Sequence, residues 1–313
     1  MGKWGLQLSE LSLGSWITFG TVLDAGHVRK IMKHAFDAGI NFFDNAEVYS
    51  DGLSETLMGE ALQMFPRQEV VISTKIFWGG KAPNTSGLSW KHLVEGTNNS
   101  LKRLNVDYVD ILFCHRPDPN VPVEETVRAM DFLIRQGKVL YWGTSEWAKE
   151  HIVQAHEVAQ AYNCIPPVVE QPQYNLFHRY RVEVEYEPLY QVYGMGVTTW
   201  SPLDSGILTG KYNKGIPEGT RLERHSWLQG RLNSAKIEKV KKLELIAEGL
   251  GCTTTQLAIA WCLKNPYVST VLLGVTTLAQ LTHNLQALSV KDQLTEAVLH
   301  QIDTLFGREQ IEG

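Results

Sequence analysis

Four side chains suited to proton transfer lie at or near the ends of three apolar segments: Asp44, Tyr49, Lys75 and His115. A tyrosine is a poor acid at neutral pH, with a reference pKa of about 10. A lysine beside it, held by an aspartate, would stabilise the tyrosinate and make the phenol a usable proton donor. If the three segments are neighbouring parallel strands, the side chains converge. The sequence then indicates an enzyme that protonates a carbonyl oxygen.

Each of these residues also has a purely structural interpretation. Asp44 would cap a turn, Lys75 would be solvated at a strand end, and His115 would be a hydrogen-bonded histidine in a turn. Their coincidence at one rim favours catalysis, with Tyr49 as general acid in reduction and His115 orienting the carbonyl oxygen. None of the four groups supplies electrons, so the chemistry requires a bound hydride donor.

Apolar runs of strand length alternate with segments of helical period along the chain. This alternation predicts a parallel sheet covered by helices, and eight such units in about 250 residues is the size of a (β/α)8 TIM barrel. A doubly wound α/β sheet is the competing architecture. The predicted strands are Leu11–Trp16, Asn41–Ala46, Val70–Lys75, Val109–His115, Leu140–Ser145, Val168–Gln173, Val197–Ser201 and Ser269–Gly274.

Helices are predicted where apolar residues recur at intervals of three and four. Ser89 is expected to cap one of them, which continues to Leu104. The other predicted barrel helices are His27–Ala38, Val123–Gln136, Glu146–Ala161, Glu183–Tyr193, Thr254–Leu263 and Leu278–Ala287.

Three features lie outside the regular units. Trp4–Leu8 and Leu11–Leu13 are predicted to form a short N-terminal β-hairpin that plugs the barrel floor. Residues 204–235 are glycine-rich, carry several cations and are predicted to form a long loop that covers a cofactor. Lys236–Gly249 and Thr295–Leu305 are predicted to be extra helices of the C-terminal region.

Composition excludes several classes of function. The net charge of −5, with both signs interspersed, gives no reason to expect binding to nucleic acid or to an anionic membrane. No run of 18 apolar residues occurs, and the start lacks the apolar stretch of a secretory signal. The cysteines are scattered without a Cys-x-x-Cys pair, which argues against a metal site or disulfides. We therefore expect a reduced, cytoplasmic protein of one domain, residues 1–313, without membrane insertion.

The hydride donor is not predicted to bind through a Gly-x-Gly-x-x-Gly turn. Gly194-Met195-Gly196 precedes a strand, so it lies in the wrong context for that fingerprint. Cationic Lys211 and Arg221 in the long loop are candidates for phosphate binding, as is the start of the helix that contains Gln280 and Asn284. A solvated basic loop followed by an ordinary turn is the alternative.

Longer motifs make the chain recognisable. They are GINFFDNAEVY at 39–49, STKIFWGGK at 73–81, RPDP at 116–119, YWGTS at 141–145 and QLAIAWC at 256–262. On these motifs the chain resembles the aldo-keto reductases over essentially its whole length. Within them it resembles the β-subunits of voltage-gated potassium channels and their plant and bacterial reductase relatives. The resemblance implies an NADPH-dependent barrel enzyme that acts on a small carbonyl substrate, with Asp44, Tyr49, Lys75 and His115 as its catalytic tetrad.

The resemblance also implies where NADPH or NADP+ binds. Trp200 matches the residue that stacks on the nicotinamide, and Ser145 and Gln171 match those that bind its carboxamide. The other implied cofactor contacts are Trp16 and Asp44 at the nicotinamide end, Ser201, Pro202, Leu203, Ser205, Lys211 and Arg221 along the phosphates, and Gly274, Thr276, Gln280 and Asn284 at the adenosine end. The implied substrate pocket is formed by Trp16, Tyr49, Trp78 and His115, with Trp147 as a further aromatic candidate.

Two positions depart from the pattern of the animal channel β-subunits. Those proteins carry Asn at the position of His115, and the histidine here favours efficient turnover over a mainly regulatory role. His283 stands where channel subunits have a carboxylate near the adenine, so the adenine contact stays open. Thr276, Lys211 and Arg221 still favour the 2′-phosphate of NADPH.

Other functions compete with the reductase. The chain would alternatively be a redox-sensing regulatory subunit docked on a potassium channel, and a homo-tetramer is implied by the same resemblance. A metal-dependent barrel hydrolase would use Asp44, Glu47 and His115 but leaves Lys75 unexplained. Aromatic side chains near the strand ends favour aromatic or medium-length carbonyl substrates.

Overall fold

Eight parallel strands follow one another around a closed barrel in chain order, in a computed structural model that describes residues 1–307. Closure occurs where the first strand pairs with the eighth, with Leu11 opposite Val271 and Leu13 opposite Leu273. The strands are β1 Leu11–Gly14, β2 Phe42–Asp44, β3 Val71–Ile76, β4 Val109–Cys114, β5 Val139–Thr144, β6 Val169–Glu170, β7 Gly196–Thr199 and β8 Val268–Leu273. The predicted (β/α)8 architecture is therefore confirmed, and a doubly wound sheet is excluded.

Helices surround the barrel, and several of them begin where a side chain accepts from a free backbone N–H group. Ser89 accepts from the backbone of His92 as predicted, and Thr253 and Gln256 form a reciprocal capping box. The helices are α1 Ala25–Asp37, α2 Leu53–Leu62, α3 Trp90–Leu104, α4 Val123–Arg135, α5 Lys149–Ala161, α6 Glu187–Tyr193, α7 Arg221–Arg224, α8 Ser234–Gly249, α9 Thr254–Leu263, α10 Leu278–Leu285, α11 Ala287–Lys291 and α12 Glu296–Phe306. Within residues 1–307, every helix is too short or too polar to cross a bilayer.

The predicted N-terminal hairpin is wrong. β1 uses both of its edges in the barrel, pairing with β2 and β8, so no ladder is left for Trp4–Leu8. That segment is instead irregular, and its side chains pack against Phe42 and Val71, which begin β2 and β3. The expected plug of the barrel floor is thus present, but it is built from side chains and not from a strand pair.

Helix α2 was not predicted because its buried face includes polar side chains. Ser54 and Glu55 are fully buried there. The Glu55 carboxylate accepts from Thr74 Oγ1 on β3 and, at 2.7 Å, from Arg103 Nε on α3. These tertiary partners compensate the burial of the charge, and a sequence pattern that seeks an apolar stripe does not detect them.

Two further elements differ from the predictions. β6 has only two residues, because Pro172 lacks the N–H that would continue the ladder. The loop at 204–235 is not structureless, since it contains a 3-10 segment at Asp204–Thr209, α7 and another 3-10 segment at Ser226–Arg231. The long loop is therefore an ordered wall above the carboxyl ends of the strands.

The buried carboxyl of Glu170 lowers the stability of the folded protein at neutral and alkaline pH. It lies on β6, accepts from Thr144 Oγ1 and is 3.4 Å from the Tyr186 hydroxyl. Burial raises its pKa from 4.5 to about 8. The folded protein therefore keeps a proton that the unfolded chain releases near pH 4.5. Stability falls as the pH rises from about 4.5 to about 8, by up to about 1.4 kcal/mol per pH unit.

We expect Glu170→Gln to remove most of this pH dependence, because the amide stays neutral. Urea unfolding at pH values of about 5 and 8 should show the variant gaining free energy of unfolding relative to the native protein at the higher pH. Glu248→Gln, at an exposed position on α8, is the matched control and should parallel the native curve. Parallel curves for Glu170→Gln as well would show that this carboxyl does not titrate differently on folding.

Candidate active site

A cavity of about 980 Å³ opens at the carboxyl ends of the strands. Its walls come from strand ends and from the long loop after β7. This is the end of a (β/α)8 barrel at which catalytic residues lie. Three of the four proposed catalytic side chains line it, namely Asp44, Tyr49 and His115, while Lys75 lies immediately behind them.

The structure brings the four predicted catalytic residues together. Lys75 Nζ is 2.5 Å from Asp44 Oδ2, 2.8 Å from the Asn45 carbonyl oxygen and 3.4 Å from the Tyr49 hydroxyl. The lysine and aspartate side chains are 1% and 4% exposed, so the ion pair is shielded from water. The Lys75 ammonium therefore donates to Asp44 and to the Asn45 carbonyl and also points towards the Tyr49 hydroxyl.

Tyr49 is positioned by a strained turn and not by a strand. It begins a 3-10 segment in which Ser50 and Asp51 have positive φ angles of 50° and 51°. Gly52 follows with φ of 86°, and a Cβ there would lie 2.8 Å from the Arg103 side chain, so glycine is needed. Ser50 Oγ donates to the Phe19 carbonyl at 2.8 Å and fixes the turn.

The electrostatics of the phenol differ from the sequence-based expectation. Burial and the Asp44 carboxylate hold the pKa of Tyr49 well above 10, and among nearby cations it is Arg116 that lowers it. The pKa of Lys75 is itself lowered by burial, against the opposing effect of Asp44. The predicted contact between Lys75 and Tyr49 is present, but the predicted net lowering of the tyrosine pKa is not. Tyr49 is a protonated hydrogen-bond donor at neutral pH.

His115 is a neutral imidazole in this site. Burial, followed by the charges of Lys75 and Arg116, lowers its pKa well below 6.5. The ring is packed edge-on against Tyr49 and Trp78, with centroid distances of 5.8 and 5.0 Å. Nδ1 is buried and has no hydrogen-bond partner among the described residues. A neutral ring can offer an N–H to a substrate oxygen without adding charge.

Asp44 connects the catalytic group to the opposite side of the barrel. Its Oδ1 accepts from Ser73 Oγ at 2.6 Å and from Gln171 Nε2 at 3.1 Å. Gln171 follows β6, and its backbone N–H is bound by the Thr144 carbonyl. One carboxylate therefore fixes both Lys75 and a side chain that the sequence assigns to the cofactor.

Every residue assigned to the cofactor or substrate by sequence lines this same cavity, with the exception of the aromatic candidate Trp147. Trp147 is 2% exposed and packs in the core behind the cavity wall, so its predicted place in the pocket is wrong. The residues that do line the cavity are Trp16, Asp44, Tyr49, Trp78, His115, Ser145, Gln171, Trp200, Ser201, Pro202, Leu203, Ser205, Lys211, Arg221, Gly274, Thr276, Gln280 and Asn284.

Several polar atoms on the late-chain side of the cavity lack protein partners. Ser201 Oγ, Ser205 Oγ, and Nε and Nη2 of Arg221 are buried without a hydrogen bond to any described residue. Burial lowers the pKa of Arg221 to about 10, and the nearby charge of Arg231 acts in the same direction. Burial and Arg221 also lower the pKa of Lys211. Unpaired donors and mutually repelling cations suit a bound polyanion such as a dinucleotide pyrophosphate.

Sequence reasoning missed several residues that the long loop contributes. Arg224 and His225 line the cavity. Trp227 packs against Trp16 with centroids 6.4 Å apart, and Trp16 meets Trp200 edge-on at 6.1 Å. The glycine-rich basic composition of the loop was the signal in the sequence, but only the folded loop shows which of its side chains reach the cavity or Trp16. Arg116, directly after His115, was also missed as a lining residue.

The metal-hydrolase alternative finds no support in this geometry. The Glu47 carboxylate accepts from the Phe77 N–H at 2.8 Å and is 3.0 Å from His92 Nε2, behind β3. Across residues 1–307, no three His, Cys, Asp or Glu side chains converge in a metal-binding arrangement. Glu47 therefore belongs to the packing of α3 on β3.

Glu146, another missed residue, holds the Trp200 indole in place. Its Oε1 accepts from Trp200 Nε1 at 2.9 Å and from the Gln173 N–H at 2.6 Å. Its Oε2 is 2.6 Å from Arg181 Nη1. The residue adopts a positive φ of 59°, which directs the carboxylate behind the indole. The orientation of this cavity wall therefore depends on one carboxylate.

We expect Glu146→Ala to destabilise the protein by about 1–3 kcal/mol, because three buried or half-buried donors lose their acceptor. Glu146→Gln retains a carbonyl oxygen for Trp200 and should cost less than half as much. Urea unfolding followed by tryptophan fluorescence measures both. Equal losses in the two variants would show that the hydrogen bond to the indole contributes little.

Comparison with known proteins agrees with this geometry. A model of the aldo/keto reductase family matches residues 10–306. The chain therefore belongs to the aldo/keto reductase family, which supports a reductase. It is 52% identical over 312 residues to a "Probable voltage-gated potassium channel subunit beta" of Arabidopsis thaliana, across 98% of this chain and 95% of that protein.

Two further relatives have similar names. A protein of Oryza sativa subsp. japonica, "Probable voltage-gated potassium channel subunit beta", is 51% identical over 97% of this chain and 95% of its own length. A Schizosaccharomyces pombe protein, "Putative voltage-gated potassium channel subunit beta", is 50% identical over 98% of this chain and 92% of its own length. The resemblance drawn from the motifs is thereby confirmed.

Proposed function

We propose that this protein is an NADPH-dependent reductase of aldehydes and ketones in which Tyr49 is the general acid. The observation that carries the proposal is the position of the Tyr49 hydroxyl, which lies 3.4 Å from the buried Lys75 Nζ and beside His115 in the cavity. Trp16 and Trp78 line the same end of the cavity and favour aromatic or medium-length carbonyl substrates.

The chain's own residues supply binding and proton transfer. Tyr49 donates its proton to the carbonyl oxygen, while His115 donates a hydrogen bond that orients this oxygen. Lys75, held charged by Asp44, stabilises the tyrosinate that remains. NADPH, when bound, supplies the hydride that the carbonyl carbon accepts, so that the carbonyl becomes an alcohol. The tyrosine afterwards regains a proton from water.

The cofactor would lie along the cavity from Trp200 to the start of α10. Ser145 and Gln171 would hold the nicotinamide carboxamide, and the unpaired donors of Ser201, Ser205 and Arg221 would bind phosphate oxygens. Cations in the loop favour NADPH over NADH because they match its additional 2′-phosphate. Gly274 and Thr276 precede α10, and the side chains of Gln280 and Asn284 on that helix face the same cavity.

The proton-donor role predicts a specific loss in Tyr49→Phe. Reduction of 4-nitrobenzaldehyde by NADPH should fall by about a hundredfold or more in kcat, since a positioned general acid contributes factors of this size. NADPH absorbance measures the rate, and titration of NADPH against the variant should give native affinity, because Tyr49 is assigned to the proton and not to the cofactor.

The matched control is Arg221→Gln, for which the opposite pattern is expected. NADPH affinity should fall by about tenfold or more, and NADH affinity should change less. Full turnover by Tyr49→Phe would contradict the role of Tyr49 as general acid. An equal loss of affinity for NADPH and NADH in Arg221→Gln would contradict the predicted preference for NADPH.

A second function is favoured by the names of the relatives, which call them potassium channel β-subunits. This chain would then dock on the cytoplasmic domain of a channel, as the homo-tetramer that the resemblance implies, and report the redox state of its cofactor. Pull-down against such a domain at micromolar concentration tests it, with sizing of the free protein for the tetramer. A failure to associate would count against this second function and would not bear on the reductase function.

A further inference from the structure

Arg116 presents a cation next to the catalytic residues. It follows β4 directly after His115 and lines the cavity. One nitrogen, Nη1, is 2.5 Å from the His115 carbonyl oxygen and 3.2 Å from Ser145 Oγ. The guanidinium carbon lies 5.6 Å from the centroid of the Trp78 ring. The side chain is thus anchored at one nitrogen and packed against an aromatic wall.

No acidic group neutralises this guanidinium. Among residues 1–307, no carboxylate lies within 4 Å of Arg116. Of the described residues that line the cavity, Asp44 is the one that carries a carboxylate, and it is bound to Lys75. Nε and Nη2 of Arg116 donate to no acceptor in the described part of the chain. Two N–H-bearing nitrogens in a fixed planar fork therefore remain for a ligand.

The phosphates of a cofactor do not account for this charge. The other cationic side chains of the cavity wall, Lys211, Arg221 and Arg224, all belong to the loop after β7. Arg116 instead follows β4 beside the proton-transfer residues, where its charge lowers the pKa of both Tyr49 and His115. A dinucleotide whose phosphates meet the loop cations leaves Arg116 beside the reacting carbonyl.

We propose that Arg116 determines substrate specificity by binding the carboxylate of an aromatic oxo compound while Trp78 packs against its ring. The proposal rests on the reductase function above and names its preferred substrates as carbonyl compounds with a carboxylate. A guanidinium binds a carboxylate through two parallel hydrogen bonds, and a flanking indole suits a planar ring. A neutral carbonyl compound fills the same space but leaves the guanidinium unpaired.

A purely structural role is the competing explanation, because Nη1 also holds the His115 carbonyl. Loss of that contact would disturb the catalytic histidine equally for charged and neutral substrates. The ratio of kcat/KM for an acid and for its neutral counterpart therefore separates the two roles.

The experiment compares 3- and 4-carboxybenzaldehyde with their methyl esters, using NADPH and four proteins: native, Arg116→Gln, Arg116→Lys and Arg128→Gln. The native protein should prefer the acids. In Arg116→Gln the ratio of acid to ester should fall about tenfold or more, mainly through a higher KM for the acid. Arg116→Lys keeps the charge without the fork and should give an intermediate ratio. Arg128→Gln removes an exposed arginine of α4 and should match the native protein.

A second measurement does not depend on turnover. Binding of 4-(hydroxymethyl)benzoate and of its methyl ester is followed through tryptophan fluorescence, with circular dichroism as the check that each variant is folded. The benzoate should bind the native protein more tightly than the ester, and this preference should vanish in Arg116→Gln. An unchanged preference in that variant, or a native protein that prefers the esters, would overturn the assignment. Absence of turnover in the native protein, with its binding preference for the benzoate present, would instead count against the reductase function and leave the carboxylate site supported.

Discussion

The buried ion pair of Asp44 and Lys75 is the constraint on which the site depends. Removing two charges from water is expensive, and it is tolerated only when geometry and additional hydrogen bonds compensate. Here Ser73 and Gln171 donate to the carboxylate, and the Asn45 carbonyl accepts from the ammonium. Because these partners belong to or directly follow β2, β3 and β6, satisfying the pair fixes the relative heights of strand ends from both sides of the barrel.

The cavity combines a catalytic group without net charge with cationic side chains from two different segments of the chain. At the centre Lys75 is matched by Asp44, His115 is uncharged, and Tyr49 keeps its proton. Cations remain on the long loop and at Arg116, which has no carboxylate within 4 Å in the described part of the chain. In a cavity with apolar walls such charges act over longer distances than in water. The loop cations thus suit a polyanionic cofactor, and Arg116 suits an anionic group on the substrate.

The sequence predicted the barrel and the placement of its polar rim because those features are local. An apolar run that ends in Lys75 or His115 shows both the strand and the end at which its chemistry lies. What it could not show depends on partners distant in the chain. The hairpin was excluded by the pairing of β1 with β8, and α2 was hidden because Glu55 finds Thr74 and Arg103 only after folding.

The same distinction between local and distant features applies to the site. The motif positions predicted which residues belong to the site. The orientation of Trp200, however, depends on Glu146, whose side chain points behind the cavity wall. The direction of the Tyr49 pKa depends on how deeply the phenol is buried and on the location of Arg116 relative to it. The spacing of residues in a sequence shows neither how deeply a side chain is buried nor which charges surround it. The direction of the Tyr49 pKa shift could therefore be obtained only from the structure.

The pairing of the first strand with the last has a consequence for how the protein is made. Leu11 meets Val271, so the ring of hydrogen bonds cannot close until nearly the whole chain has left the ribosome. Until then β1 and β7 each have an open edge, of the kind that aggregates. Asp44 and Lys75, by contrast, lie on the adjacent strands β2 and β3, which pair with each other directly. Closure of the barrel therefore depends on a contact between segments far apart in the chain, and contacts of long sequence separation form slowly.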